Sequence, residues 1–217
     1  TNVAGVMEGP IRLDLSTAAL IDSFKNQPAD FAPGAGWAYN NSGYVLVGAV
    51  IEAASGKPWH VHLNDALFAP AGLKATVYGA NDALIAGMAN GYTVRDGRVA
   101  PAAFLSMTQP HAAGALVSTV DDLHRWNRAL HGGKLLKADS YTQMTTPAGK
   151  AVDANYGFGI VRDTLRGHVR LQHDGGIFGF SSHLAYVPDA ELSVVVLQNA
   201  DGTVNSKGDP GKLGTLL

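Results

Sequence analysis

Two polar side chains stand close together in the segment WAYNNSGY, residues 37–44. The phenol of Tyr39 can accept a proton and pass it on once it is ionised, and the amide of Asn41 can donate and accept hydrogen bonds at the same time. An apolar run, residues 44–51, follows directly. Two interpretations are open. Asn and Ser are good helix N-caps beside which a tyrosine can pack, or the phenol moves a proton while the amide holds a substrate.

A second candidate segment is QHDGGIFGFSSH, residues 172–183. His173 ends a predicted strand, and Asp174 follows it. Gly175 and Gly176 come next, where a backbone without side chains can approach a ligand closely. Taken alone, this pattern is typical of a glycine-rich hairpin with a half-exposed histidine.

Helices are the first elements that must position these groups. Apolar spacing and capping signals predict four of them: Ser16–Lys25, Ser42–Ser55, Pro58–Leu67, and one that opens at Ser118-Thr119 and ends at Gly132-Gly133. The second is apolar almost all round, so we expect it to be buried. Residues 78–110 have no strong period and are predicted as loops and short strands.

From residue 155 onward the pattern changes to strands separated by turn residues. The four segments are YGFGIVRD, HVRLQHDGG, SSHLAYV and LSVVVLQNA. Short links between successive strands predict an antiparallel meander. The sequence therefore predicts an α/β protein of the α+β type, a single domain with a mainly helical part (1–150) and an antiparallel sheet part (151–217).

Composition excludes several classes of function. Apolar residues make up 46% of the 217 residues, charged residues 16%, and the formal net charge is -2. These values are typical of a globular protein without the basic surface that nucleic acid requires. The longest apolar run is too short for a transmembrane segment, and there is no cysteine. His60 and His62 lie two apart in a predicted helix and face different directions, so no metal site is predicted.

Six segments occur in an order that resembles one family, the penicillin-recognising serine hydrolases. The segments are PGAGWAYNNSGYVLVGAVIEAASGKP, FAPAGLKAT, HAAGALVSTVDDLHRW, YGFGI, HDGGIFGFSSHLAYVPD and VVVLQN. This family includes class C β-lactamases, D-alanyl-D-alanine carboxypeptidases, D-aminopeptidases and β-lactamase-like esterases. The resemblance implies a β-lactamase/transpeptidase-like fold, acyl-enzyme chemistry on a small-molecule or peptide substrate, no cofactor, and a periplasmic or secreted location.

The resemblance also implies residue roles. Tyr39 and Asn41 fill the family's Tyr-x-Asn element, and residues 173–175 fill its Lys-Thr-Gly element. Tyr39 is then the base that takes the nucleophile's proton, because the nearby helix N-terminus favours its ionised form. Asn41 binds the substrate. His173 is a further catalytic residue, and the Gly176 N–H stabilises the developing oxyanion. All of these groups are expected to face one cleft.

The family's nucleophile has no counterpart in these 217 residues. No serine is followed three residues later by lysine, and no Gly-x-Ser-x-Gly segment is present. In the family the Ser-x-x-Lys segment precedes the Tyr-x-Asn element. We therefore expect an internal fragment, incomplete at both ends, whose nucleophile lies upstream of Thr1. The alternative is a non-catalytic protein that keeps the pocket for ligand binding.

Asp174 and Gly175 are further candidates for substrate binding. If the Asp174 carboxylate faces the cleft, it repels a substrate carboxylate and favours neutral esters or substrates with a free amine. The alternative is that strand alternation turns Asp174 away from the cleft, because neighbours on a strand face opposite ways.

Overall fold

The computed structural model describes residues 11–202. Its helices are α1 (Thr17–Asp22), α2 (Asn41–Ser55), α3 (Trp59–Leu63), α4 (Ala69–Ala71), α5 (Val120–His131) and α6 (Ala138–Thr145). Its strands are β1 (Val77–Tyr78), β2 (Tyr92–Arg95), β3 (Arg98–Pro101), β4 (Leu116–Val117), β5 (Val161–Leu165), β6 (His168–Ile177), β7 (Phe180–Val187) and β8 (Leu192–Gln198). A π-helical turn, Asn64–Phe68, connects α3 to α4.

The chain divides into two compact units. Within the described residues, the first comprises 11–69, 75–88 and 104–118, and the second comprises 70–74, 89–103 and 119–202.

The first unit is built on α1 and α2. Leu20 and Phe24 pack with Val45 of α2 in a buried cluster. Ser16 caps α1 by accepting a hydrogen bond from the Ala19 N–H, which satisfies one of the free donors at the helix start.

His111 ties a loop to both of these helices. Its Nε2 lies 3.2 Å from the Thr17 hydroxyl, which donates to Glu52 of α2 at 3.1 Å. Gly48 makes the close approach possible, because a Cβ at that position would lie 2.7 Å from the His111 ring. The helix glycine is therefore explained by packing and not by backbone freedom.

The expectation that the second helix is buried on all sides is wrong. Val45 is 1% exposed, whereas Val50 is 65% exposed, and Leu46 and Val47 are also exposed. A helix can press only one stripe of side chains against a neighbour such as α1. Leu46, Val47 and Val50 therefore stay at the surface of this chain.

The second unit contains the predicted meander. Its strand order is β5-β6-β7-β8, and each neighbouring pair is antiparallel. Two-residue turns join β5 to β6 at Arg166-Gly167 and β6 to β7 at Phe178-Gly179. The prediction of four successive strands with short links is confirmed, although the first strand begins at Val161 and not at Tyr156.

Helix α5 packs on one face of this sheet. Asn127 is 2% exposed, and its side-chain N–H groups donate to the Ala185 carbonyl at 3.0 Å and the Ser193 hydroxyl at 2.8 Å. His131 stacks on Tyr186, with ring centroids 4.3 Å apart. The helix is thereby fixed to β7 and β8 by a buried polar anchor as well as by apolar contact.

Replacing Asn127 by alanine should lower the free energy of unfolding by about 2–3 kcal/mol, because the two buried hydrogen bonds that its amide donates to Ala185 and Ser193 are lost. Urea unfolding measures the change. The matched control is Asn199→Ala, which removes an exposed amide that donates to the Asn90 carbonyl at 3.0 Å. Equal losses in the two variants would contradict the proposed anchor.

Candidate active site

The start of α2 separates the two interpretations of the first segment. Asn40 is the N-cap, and its side-chain oxygen accepts a hydrogen bond of 2.9 Å from the Gly43 N–H. Capping therefore explains Asn40, whereas Asn41 is the first helical residue and needs another explanation. Tyr39 is 48% exposed and lies at the N-terminal end of α2, as the sequence predicts.

His173 lies inside β6 and does not end it, because the strand continues to Ile177 along its pairing with β7. Its Nδ1 is 2.6 Å from the Asp174 carbonyl oxygen, and its Nε2 is 2.8 Å from the Tyr156 hydroxyl. A carbonyl only accepts, so Nδ1 carries a proton. In the neutral ring, Nε2 then accepts from Tyr156, and the orientation of the imidazole is fixed from both sides.

A cavity of about 200 Å³ adjoins His173 in the second unit. Its wall is largely apolar and includes Trp126, Leu130, Phe158, Leu171 and Leu184. His131 also lines it, and burial lowers the pKa of His131 from 6.5 to about 4. The second imidazole of the cavity is therefore neutral over the whole physiological range.

Gly175 and Gly176 differ in what they face. A Cβ at Gly175 would lie 2.4 Å from the Ser182 hydroxyl of β7, whereas a Cβ at Gly176 would meet nothing within 4 Å. A side chain at 175 would therefore require the Ser182 hydroxyl to move. The space beside Gly176 is open.

The alternation of antiparallel pairing gives the direction of the Gly176 N–H. Ile177 and Phe180 flank a two-residue turn and form a hydrogen-bonded pair, so the next pair, Gly176 with Ser181, is of the other kind. The Gly176 N–H therefore points away from β7. On that side the pairing of β6 with β5 ends at Gln172. Gly176 lies beyond this point, so its N–H does not pair with β5.

Asp174 and His173 lie on opposite faces of the sheet, as strand alternation requires. The Asp174 carboxylate is 2.5 Å from His183 Nδ1, directly across from it on β7. This contact supports the alternative in which Asp174 is turned away from His173. Whether it or Gly175 contacts a substrate stays a prediction.

Residues 173–176 are thus adjacent on β6 in one unit, whereas Tyr39 and Asn41 belong to the other unit. The expectation that all of them share a cleft stays a prediction.

Sequence reasoning missed two side chains, Tyr156 and His183, that form hydrogen bonds with residues of β6. Tyr156 is 9% exposed and lies in the segment YGFGI, but nothing in its spacing indicates His173 as its partner. His183 had a usable signal. A two-residue turn at Phe178-Gly179 places residue 183 opposite residue 174 by simple counting.

Comparison with known proteins gives a consistent result. Residues 4–213 match the protein family described as Beta-lactamase. The D-aminopeptidase of Gluconobacter oxydans (strain 621H) is 26% identical over 173 residues, which are 78% of this chain and 32% of that protein. Penicillin-binding protein 4* of Bacillus subtilis (strain 168) is 26% identical over 202 residues, 84% of this chain and 44% of that protein. The chain thus spans less than half the length of these curated relatives.

Two solved structures show the same fold. A D-stereospecific amidohydrolase from Streptomyces sp. has a TM-score of 0.81 at 30% identity, covering 94% of this chain and 62% of that one. The D-amino acid amidase from Ochrobactrum anthropi SV3 has a TM-score of 0.81 at 24% identity, covering 99% of this chain and 66% of that one. The family match covers almost all of the chain. The helices and antiparallel sheets of the chain follow the same fold as those of the two solved structures. The protein therefore belongs to the beta-lactamase family of penicillin-recognising serine hydrolases and has the β-lactamase/transpeptidase-like fold.

Proposed function

We propose that this chain is part of a serine hydrolase that cleaves amides, esters or β-lactams through an acyl-enzyme. In this proposal the nucleophilic serine belongs to a Ser-x-x-Lys segment outside the present 217 residues, upstream of Thr1. The observation that carries the proposal is the backbone of β6 at Gly176, whose N–H points to the side that β5 leaves unpaired. A preorganised donor of this kind stabilises an oxyanion in acyl transfer by about 3 kcal/mol.

Each proposed residue has a defined part in the reaction. Tyr39 takes the proton of the serine as it attacks the carbonyl carbon and then gives it to the leaving group. The Gly176 N–H binds the carbonyl oxygen while it carries negative charge. Asn41 binds the substrate, and His173 presents an imidazole held by Tyr156 and the Asp174 carbonyl. Water attacks the acyl-enzyme in the second half of the reaction, and Tyr39 serves as the base again.

D-Aminoacyl amides and peptides are the substrates we propose first. Relatives and structural neighbours are named D-aminopeptidase and D-stereospecific amidohydrolase, which supports an amide of a D-amino acid over other acyl compounds. We also propose a periplasmic or secreted location, as the resemblance to this family implies. Among residues 11–202, no helix is both long and apolar enough to span a bilayer.

The 217-residue chain should be inactive, whereas a chain extended upstream to include a Ser-x-x-Lys segment should hydrolyse a D-amino acid amide. The reason is that Tyr39 and the Gly176 N–H have no nucleophile to assist in the shorter chain. Both chains are assayed with D-phenylalanine amide, a short-chain nitrophenyl ester and a chromogenic cephalosporin. A serine-directed phosphonate should add its mass to the extended chain only.

Turnover by the 217-residue chain that the phosphonate blocks would mean that its nucleophile is within this sequence. The absence of a Ser-x-x-Lys segment from these residues favours a second candidate, a non-catalytic protein that binds acyl or peptide ligands. An upstream sequence without this segment, together with ligand binding and no turnover, would support that candidate.

A further inference from the structure

Asp174 and His183 form a side-chain pair across β6 and β7. The Asp174 Oδ1 atom is 2.5 Å from His183 Nδ1, and the two residues are directly opposite in the register of the strands. The His183 side chain is 2% exposed, whereas the Asp174 side chain is 63% exposed. An exposed carboxylate thus forms a hydrogen bond with a buried imidazole ring.

The hydrogen bond to Asp174 satisfies the Nδ1 atom of the His183 ring. Its Nε2 atom is buried and has no hydrogen-bond partner among the described residues. A carboxylate accepts, so the proton lies on Nδ1. Loss of the acceptor would leave both polar atoms of a buried imidazole unsatisfied, which is costly.

The pair lies in the part of β6 that is paired with β7 but not with β5. The pairing of β6 with β5 ends at Gln172, so in the described part of the chain residues 173–177 are held in the sheet by β7 alone. Asp174 is inside this stretch, between His173 and the two glycines. Glycines have no side chain that could hold a strand in place by packing. Even a Cβ at Gly176 would contact nothing within 4 Å.

We propose that Asp174 and His183 are positioning residues that fix the β6 segment carrying His173 and the Gly176 N–H. The proposal rests on the proposed function for its catalytic consequence, but the pair itself is a property of the sheet. Neither side chain contacts the substrate in this assignment. Asp174 acts through His183, because the buried ring anchors the carboxylate and with it the backbone of residues 173–176. An oxyanion donor must be held to within a fraction of an ångström, and the pair supplies this restraint where β5 does not.

The tautomer of His183 tests the pair directly in the 217-residue chain. Long-range ¹H–¹⁵N spectra should show the Nδ1–H form in the wild type. Asp174→Ala should abolish this signature, and Asp174→Asn should keep it, because the amide oxygen accepts the same proton. Asp189→Ala is the matched control, since Asp189 holds His168 at 2.6 Å with both side chains more than half exposed. An Nε2–H form in the wild type, or an unchanged signal in Asp174→Ala, would overturn the pairing.

Amide hydrogen exchange tests the restraint in the same chain. Exchange at Gly175 and Ser182 should be at least about tenfold faster in Asp174→Ala, since local opening becomes easier. It should be unchanged in Asp189→Ala and close to wild type in Asp174→Asn. Unchanged exchange in Asp174→Ala would mean that the pair does not hold the segment, and the positioning role would be rejected.

Kinetics of a chain that carries the nucleophile separate positioning from substrate contact. Asp174→Ala should lower kcat about tenfold and leave KM within about twofold of the wild type, and Asp174→Asn should restore most of kcat. A rise in KM without a fall in kcat, or a selective gain on carboxylate-bearing β-lactams, would show that Asp174 contacts substrate and would overturn the assignment. An inactive wild type would reject the proposed function, whereas the tautomer and exchange results would still decide the pair.

Discussion

Replacing Tyr39 by phenylalanine should lower kcat about 1000-fold in a chain that carries the proposed nucleophile. The change removes one oxygen atom from a side chain that is 48% exposed, so little packing is lost. It removes the group that we propose accepts the serine's proton and protonates the leaving group, and general acid–base catalysis contributes roughly 100- to 10,000-fold. Steady-state kinetics with a D-amino acid amide measure the effect.

The matched control for this prediction is Tyr92→Phe, which removes a phenol oxygen from β2. This variant should keep kcat within about twofold of the wild type, because β2 carries none of the proposed catalytic groups. Phosphonate labelling of Tyr39→Phe should be slowed in parallel with turnover, since both depend on an activated serine. A Tyr39→Phe enzyme with more than a third of wild-type kcat would exclude the phenol as the base.

Acidification from pH 6.5 to pH 4 should destabilise the fold through His131. Burial lowers the pKa of this imidazole from 6.5 to about 4. Above pH 6.5 the ring is neutral in the folded and the unfolded chain, and the fold keeps its full stability. Between pH 6.5 and 4 only the unfolded chain takes up the proton, so stability falls as the pH falls. The loss should reach about 2 kcal/mol, which allows for partial solvent screening of the ring.

The variant His131→Phe should reduce this pH dependence. Phenylalanine can keep the stacking on Tyr186, although it gives up the hydrogen bond of 2.8 Å to the Tyr141 hydroxyl. We therefore expect somewhat lower stability at pH 7 and a shallower decline in the urea midpoint towards pH 4. Burial also lowers the pKa of His60 and His111, so part of the decline should remain.

The control for the pH experiment is His124→Gln, which removes an exposed imidazole from the same helix, α5. The comparison is the difference in slope between each variant and the wild type. A decline in His131→Phe as steep as that of the wild type would show that His131 does not take part. An equally shallow decline of stability in His124→Gln would show that the burial of His131 is not the cause of the pH dependence.

The sequence alone predicted the meander well. Turn residues between the segments marked the strands, and the short links between them required antiparallel neighbours. Two-residue turns at Arg166-Gly167 and Phe178-Gly179 then set the register of the sheet. The sequence was less informative about α2, because an all-round apolar pattern does not say which stripe will be covered. Its start was predicted to within one residue, since capping is a local property of the chain.

The types of the candidate groups were also evident from the sequence: a phenol at Tyr39, an amide at Asn41, and an imidazole followed by glycines at residues 173–176. Their partners were not. That Asn40 and not Asn41 caps α2, and that Tyr156 holds His173, depends on side-chain directions that composition and period do not encode.

The hydrogen-bond partner of the Asp174 side chain shows most clearly what only the tertiary structure decided. Strand alternation placed its carboxylate on the face away from His173, and counting from the two-residue turn can place residue 183 opposite it. The sequence does not indicate that the His183 ring is buried or that the two side chains form a hydrogen bond. The pairing of β6 with β7 brought the buried His183 ring opposite it, 2.5 Å from its oxygen. Burial and side-chain hydrogen bonds between strands depend on how distant segments pack, whereas strand, turn and helix signals are local and can be read along the chain.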